Sequence, residues 1–441
     1  MELVLERWPG RILVAAVAVA ITAPLSMDLW RHAQADRLAR EGSISSLQQA
    51  VRLEPRNADL HWRLGRAELF SEGGNTPAAV TALEEAASLN PAVGAYWVDL
   101  ALAREGQGDT SAAGSALTRA RAAEPRTPEI LWESMNFALR DDHPEQAMQF
   151  AHALLEAAPP YAARVLSQLG SVADAPSMIE GVLPADQGAM DVATAYVANR
   201  SDLPGEQAAW NKVMATGQPP SASSLRYFLD SLIWQGEGPL AERVWTDSIR
   251  RGWIAADAEA LAEPLYNGSF RTPMLGFGFD WKVLPLEETS VWVSDEGPQP
   301  GQPCLCVDFS ANARADFGHV SHAVPVTPGQ HYLLSAKMRV RHVVTSAGAY
   351  LSVSGFRASG VQPATTDPMV GSSGWEAVST EYVPGAQTRI AQITLSRPGT
   401  GAADTPVSGQ ICLAEVQWQR LNPPPESASV RGHAAHEGMA R

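Results

Sequence analysis

Small and apolar residues return along the first 160 positions of this chain at an interval far longer than a helix turn. Four prolines, Pro55, Pro91, Pro125 and Pro159, lie 36, 34 and 34 residues apart. Five residues before them stand Ala50, Ala86, Ala120 and Leu154; eight before, Leu47, Leu83, Leu117 and Ala151; twelve before, Ser43, Ala79, Ala113 and Ala147. Trp62, Trp97 and Trp132 form a further series, each 35 from the next. A helix of about 12 to 14 residues, a turn, a second helix and a proline that stops it occupy about 34 residues, so the period predicts stacked helix pairs. The small residues fall where the two helices of a pair cross closely. One pair cannot bury its apolar face alone, and stacking supplies the missing core.

From Tyr161 to Ala262 helical spacing persists while the register fades. Ala208 and Ala241 follow the breaks Pro204-Gly205 and Gly238-Pro239, and the segments 224–234 and 240–250 carry apolar residues at three and four spacing. After Pro264 the period changes to two. Alternating runs at 290–294, 304–309, 319–326, 331–340, 349–353, 376–383, 389–396 and 410–419 are separated by turns such as Pro328-Gly329 and Pro384-Gly385. They predict a two-sheet β-sandwich or jelly roll. The whole reads as a multidomain α + β chain. A membrane segment over 1–32 precedes an α-solenoid over 33–160 and its degenerate continuation over 161–263. A β-sandwich over 264–421 follows, then a disordered tail over 422–441.

The N-terminal segment combines Arg7 and Arg11 with an apolar run from Ile12 to Met27, flanked by Trp8 and Trp30. A spanning helix needs about 20 apolar residues, down to about 17, so 8–30 is just long enough, with aromatics at both interfaces. A cleaved signal ending at Ala18-Val19-Ala20 is the alternative. Because Pro24 and the continuing apolar run give that signal no clean end, an uncleaved anchor is favoured. The arginines before the span place the N-terminus in the cytoplasm. For a bacterial chain this means a single-pass inner-membrane protein with its bulk in the periplasm.

The formal charge of −15, from 33 basic and 48 acidic residues, argues against a nucleic-acid surface. The three cysteines, Cys304, Cys306 and Cys412, all lie in the strand-rich part. Cys304 and Cys306 face the same side of one strand and cannot comfortably bond each other. A bridge from one of them to Cys412, with Cys306 as the candidate, leaves an odd thiol; three reduced buried cysteines is the alternative. No phosphate-binding glycine loop, paired-histidine zinc helix or nucleophile elbow occurs. His319 and His322, three apart on a strand, are a poor metal pair, and the acid pairs Asp141-Asp142 and Glu287-Glu288 lie in turn-like contexts. Neither an enzyme nor a cofactor is expected.

Two resemblances sharpen this reading. In the unit ending at Pro125, Trp97, Leu100, Ala101, Ala113, Leu117, Ala120 and Pro125 stand at the aromatic, leucine, small and closing-proline positions of the tetratricopeptide repeat (TPR) family. Arg104 replaces the usual tyrosine, and Gly73-Gly74-Asn75 lengthens the preceding turn. The resemblance implies a protein-binding groove formed by the units from Asn57 to Pro159. Farther on, Asn267-Gly268-Ser269-Phe270 with Trp281 resembles the opening of the galactose-binding-like jelly-roll carbohydrate-binding modules of families 4 and 9. Pro328-Gly329 with Tyr332, then Gly374-Trp375, then Gly409, keep the family order. Those modules often hold a calcium ion, but Arg271 and Ala414-Glu415 replace the acids required, so no metal is expected. Their sugar grip implies Trp281, Trp292, Tyr350 and Tyr382 as candidate contacts; alternatively Trp281 and Trp375 fill the core and Tyr382 pairs across strands.

Together these features lead to the expectation of a non-enzymatic, anchored scaffold for exopolysaccharide or cell-envelope polysaccharide assembly or export. Its array binds an envelope protein and its jelly roll a glycan. The alternative is a purely structural interaction module whose jelly roll has lost sugar binding.

Overall fold

A computed structural model describes residues 8–72, 74–313, 317–344, 348–356, 362–397 and 407–421. The tail at 422–441 lies outside the described residues. The chain divides into two compact units, residues 1–184 and 185–441. The division falls within the stretch read from sequence as a degenerate continuation of the array.

The first unit contains α1 (Trp8–Glu41), α2 (Ile44–Leu53), α3 (Ala58–Phe70), α4 (Thr76–Leu89), α5 (Gly94–Gly106), α6 (Thr110–Ala123), α7 (Pro128–Arg140), α8 (Pro144–Ala157), α9 (Ala162–Leu169) and α10 (Ala175–Gly181). They pack as successive antiparallel pairs, α1 with α2, α3 with α4, α5 with α6 and α7 with α8. Each of the four spaced prolines follows the second helix of a pair. The residues before them, Glu54, Asn90, Glu124 and Ala158, have φ between −132° and −146° and ψ between 74° and 86°. A proline ring excludes the helical conformation from the residue before it, which ends each helix there. The N–H of these four residues still reaches back to the carbonyls of Ala50, Ala86, Ala120 and Leu154.

Leu47, Leu83, Leu117 and Ala151 are buried, as are Ala79, Ala113 and Ala147. Ser43 departs from that last series. It is the N-cap of α2, its Oγ accepting from the Ser46 N–H at 3.1 Å, a role that suits a short hydroxyl side chain. The lengthened turn before α4 is held by Glu68, whose Oε2 accepts from the Asn75 N–H at 3.1 Å. The first helix is unexpected in its extent: α1 runs without a break from the apolar segment through Pro24 to Glu41. Its end buries Ala35 and Ala39 against Leu47, Ala50 and Leu60. The apolar segment and the first helix of the array are one element.

The second unit contains α11 (Gln187–Ala198), α12 (Leu203–Thr216), α13 (Ala222–Gln235) and α14 (Gly238–Arg250). Among the described residues ten strands follow: β1 (Lys282–Val283), β2 (Thr289–Ser294), β3 (Cys304–Ala313), β4 (Phe317–Pro325), β5 (Tyr332–Val344), β6 (Tyr350–Gly355), β7 (Ala364–Thr365), β8 (Glu376–Tyr382), β9 (Ile390–Arg397) and β10 (Val407–Arg420). Sheet I has the order β1-β4-β9-β6-β7 and sheet II the order β2-β3-β10-β5-β8, with every pairing antiparallel. Strands β3 to β10 are dealt to the two sheets as 3-10-5-8 and 4-9-6-7, which is a jelly roll. Strands β1 and β7 were not anticipated, because two residues cannot show an alternation.

Leu305, Val307, Leu334, Met338, Leu351, Ile393, Leu395 and Ile411 fill the space between the sheets. Trp281 joins them at 0% exposure, its ring tilted against Phe270 at 5.1 Å and its indole N–H donating to the Asn267 carbonyl at 3.1 Å. The Asn-Gly-Ser-Phe turn is therefore a scaffold. Gly268 is required there because a Cβ would run into the Val416 carbonyl, while the Val416 N–H donates to Gly268 O at 3.0 Å. Buried Asp280 accepts from the N–H groups of Leu275 and Trp281 and from Asn267 Nδ2. Burial pushes its pKa up against those hydrogen bonds.

Candidate binding surfaces

The first helices of successive pairs touch one another, α3 with α5 and α5 with α7, so their outer faces form one continuous surface. Trp62 donates its indole N–H to Asp99 Oδ2 at 2.6 Å across the α3–α5 boundary. The Arg66 guanidinium lies 5.0 Å from the Trp62 ring and 5.7 Å from the Phe70 ring, and 3.8 Å from Asp99. One repeat later Arg140 clamps Glu105 through Nε at 2.6 Å and Nη2 at 2.8 Å, a bidentate geometry that fixes α7 against α5. Burial pushes the Asp99 carboxyl up, opposed by Trp62 and Arg66. Burial likewise raises Glu133, and Glu105 and Asp99 add to the shift while Arg140 opposes it. The surface thus offers exposed aromatic area beside carboxylates and guanidiniums held in place, which suits an extended or helical polypeptide segment.

The tryptophan series is not structurally equivalent. Trp62 and Trp132 are fifth in their helices but Trp97 is fourth, and one residue turns a side chain by about 100°. Trp97 is accordingly buried in the array core, donating to the Pro91 carbonyl at 2.9 Å. Leu100, Ala101, Ala113, Leu117 and Ala120 surround the same core, while Pro125 is exposed. The residues that knit the outer surface, Asp99, Glu105 and Arg140, belong to no repeat consensus. Their signal was available as opposite charges about one period apart, since Glu105 and Arg140 are 35 residues from each other.

The four aromatic candidates of the jelly roll are scattered. Trp281 and Tyr382 are in the core, the latter near Trp418 at 6.3 Å, so neither presents a ring face to a ligand. Trp292 lies half-buried on the outer face of sheet II, and Tyr350 half-buried on the outer face of sheet I. Trp375, the other tryptophan expected to fill the core, instead lies under the Arg339 guanidinium at 4.8 Å. It covers an outer-face cluster of Cys304, Cys306, Cys412 and Ala414. Burial of indole area there needs no place in the main core.

Cys306 and Cys412 are joined by a disulfide, and buried Cys304 Sγ lies 3.7 Å from Cys306 Sγ. Burial raises the Cys304 thiol above its ordinary value despite Arg339. Glu415, which with Ala414 occupies the positions where the resemblance implies a pair of calcium-binding aspartates, is paired with Lys337 at 2.9 Å and accepts from Gln302 at 2.8 Å. These partners hold its pKa down. Asp142 and Glu288 each sit at positive φ, 56° and 58°, in turns.

The chain is a helical-repeat array joined to a four-helix segment and a jelly roll. No protein-family model matches it, and no curated protein does. Solved structures similar to parts of it include MamA, 13% identical over 43% of this chain and 94% of that one, with a TM-score of 0.29. A thermophilic TPR protein of Thermus thermophilus is 20% identical over 38% of this chain and 91% of its own, with a TM-score of 0.27. A CBM4 structure is 14% identical over 36% and 99%, with a TM-score of 0.26. At such values the likenesses carry no functional argument, and the fold rests on the helix pairs and strand order themselves.

Proposed function

We propose that this protein is a membrane-anchored, non-enzymatic scaffold. Helix α1 holds it in the bacterial inner membrane with its bulk in the periplasm, and the joined face of α3, α5 and α7 takes a segment of an envelope protein. The jelly roll serves exopolysaccharide or cell-envelope polysaccharide assembly or export by binding glycan.

The observation that carries this reading is the continuity of α1. Ile12, Val19, Leu25 and Leu29 are all more than half exposed, and the same helix ends inside the first pair of the array. Cleavage at Ala18-Val19-Ala20 would leave Ile21, Leu25, Met27 and Leu29 exposed at the end of the mature chain, which favours the anchor. A C-terminal alkaline phosphatase fusion tests it. Full activity, with the fusion resisting carbonate extraction from membranes, is expected. An inactive fusion, or one released as a soluble protein, contradicts the anchored, outward-facing arrangement. A jelly roll without sugar binding is the second reading, favoured by the burial of Trp281 and Tyr382.

A further inference from the structure

Within the second unit, α13 lies against the outer face of sheet I and borders a half-open cavity of about 490 Å³. We propose that this cavity is a saccharide site for neutral pyranose units, built jointly by the helix and the sheet. The inference rests on the glycan half of the proposed function and gives it a location that none of the four sequence candidates except Tyr350 approaches.

The helix contributes the ring faces. Trp234 is 59% exposed and Tyr227 49% exposed, yet both are oriented. Trp234 meets Phe356 edge to face at 5.7 Å, and the Tyr227 hydroxyl donates to Asn199 Oδ1 at 2.6 Å. Large aromatic faces fixed in position at the mouth of a cavity match the flat C–H face of a pyranose. Polar groups stand on the walls. Asp230 Oδ1 accepts from the Gly278 N–H at 2.9 Å and from Lys282 Nζ at 2.8 Å. Arg226 Nε is 3.9 Å from Asp230 Oδ2, beyond hydrogen-bond reach. Gln392 and Ser321 line the sheet side together with the apolar Leu284, Ala323 and Phe356.

The sheet continues the polar surface beyond the cavity. Register places Ala323, Gln392 and Ser354 in one row across β4, β9 and β6, and Ser321, Thr394 and Ser352 in the next. Ser396 and Tyr350 come one row farther. Ala391, Ile393 and Leu395 of β9 point into the core, so this strip of hydroxyls and one amide forms the outer face. From Ser354 to Tyr350 it runs roughly 13 Å at the usual rise per strand residue, longer than one pyranose ring. Hydroxyls and an amide, which both donate and accept, match sugar hydroxyls rather than an apolar chain. Lys282 is already neutralised by Asp230, so among the described residues the lining carries no unpaired charge to select a uronate or a phosphate.

The test is native affinity electrophoresis of the full-length chain in detergent, through gels containing galactomannan, glucomannan or polygalacturonate. Retardation by a neutral polymer is expected, weakened about tenfold by Trp234→Ala, the scale of one lost aromatic contact. Trp292→Ala, on the opposite sheet, is expected to leave it unchanged. Because Trp234 is exposed, W234A should melt with the wild type, and Gln392→Ala gives a second variant that removes no buried apolar area. Retardation that survives both W234A and Q392A overturns the site but not glycan binding. Retardation by polygalacturonate alone overturns the neutral class. No retardation of the wild type in any gel overturns both the site and the glycan half of the proposed function, leaving the protein-binding array untouched.

Discussion

His319 and His322 show how burial decides the behaviour of single side chains here. Both lie inside the second unit, at 6% and 1% exposure. Both ring nitrogens of His319 are buried with no hydrogen-bond partner among the described residues, and burial pushes its pKa down. For His322, burial pushes the pKa down to about 4; the carbonyls of Tyr266 and Ala323 oppose this and Lys282 assists it. In the unfolded chain each titrates near about 6.5. A base whose folded pKa is depressed is neutral in the fold, whereas the unfolded chain takes up its proton first. Stability is therefore whole above about pH 6.5 and is lost as pH falls, for His322 down to about 4. The raised carboxyl of Asp280 acts in the opposite direction, so a variant comparison is needed. Thermal melts at pH 7 and pH 5 should show a smaller acid loss for His319→Leu than for the wild type. Equal losses in the two proteins would show that His319 is charged in the fold.

At the scale of elements, the helix pairs are packed through small residues that leave no room for larger ones. Ala113 is fully buried in α6. Ala113→Leu adds three heavy atoms at that crossing and should cost about 1 to 3 kcal/mol, read as a lower urea midpoint for the transition of the full chain. An unchanged midpoint would mean that α5 and α6 are not in close contact. Most of this architecture was legible in the sequence because it rests on local rules. The four spaced prolines each end the helix before them by restricting the preceding residue, although Pro24 is accommodated inside α1, and strands as long as β5 or β10 display their alternation. What escaped depended on tertiary detail. Strands β1 and β7 are too short to have a pattern. Trp97 turned inward because the helix starts are spaced 36 and then 34 residues apart while the tryptophans keep 35. For Trp281 and Tyr382 the sequence leaves open a sugar-facing or an interior position, and the core claims both. Trp234 carries no such signal, because its position depends on a helix folding back onto a sheet, which no local pattern announces.

The molecule as a whole joins three kinds of surface: an apolar helix, a mixed-charge face with aromatic residues on the array, and a jelly roll carrying a polar sheet face. Its excess of acidic residues leaves that array face with Asp99, Glu105 and Glu133 set against Arg66 and Arg140. On the proposed reading such a face favours a partner whose charges fall in register with its own, rather than one drawn by net attraction. The central claim, that this face binds a protein in the envelope, is tested most directly by photocrosslinking in intact cells. A photoreactive residue replaces Phe70 or Asn136 on the first helices, or Glu85 or Gln149 on exposed parts of the second helices. A discrete adduct is expected from positions 70 and 136 and none from positions 85 and 149. Adducts arising equally from both sets, or from the second helices alone, would contradict that claim.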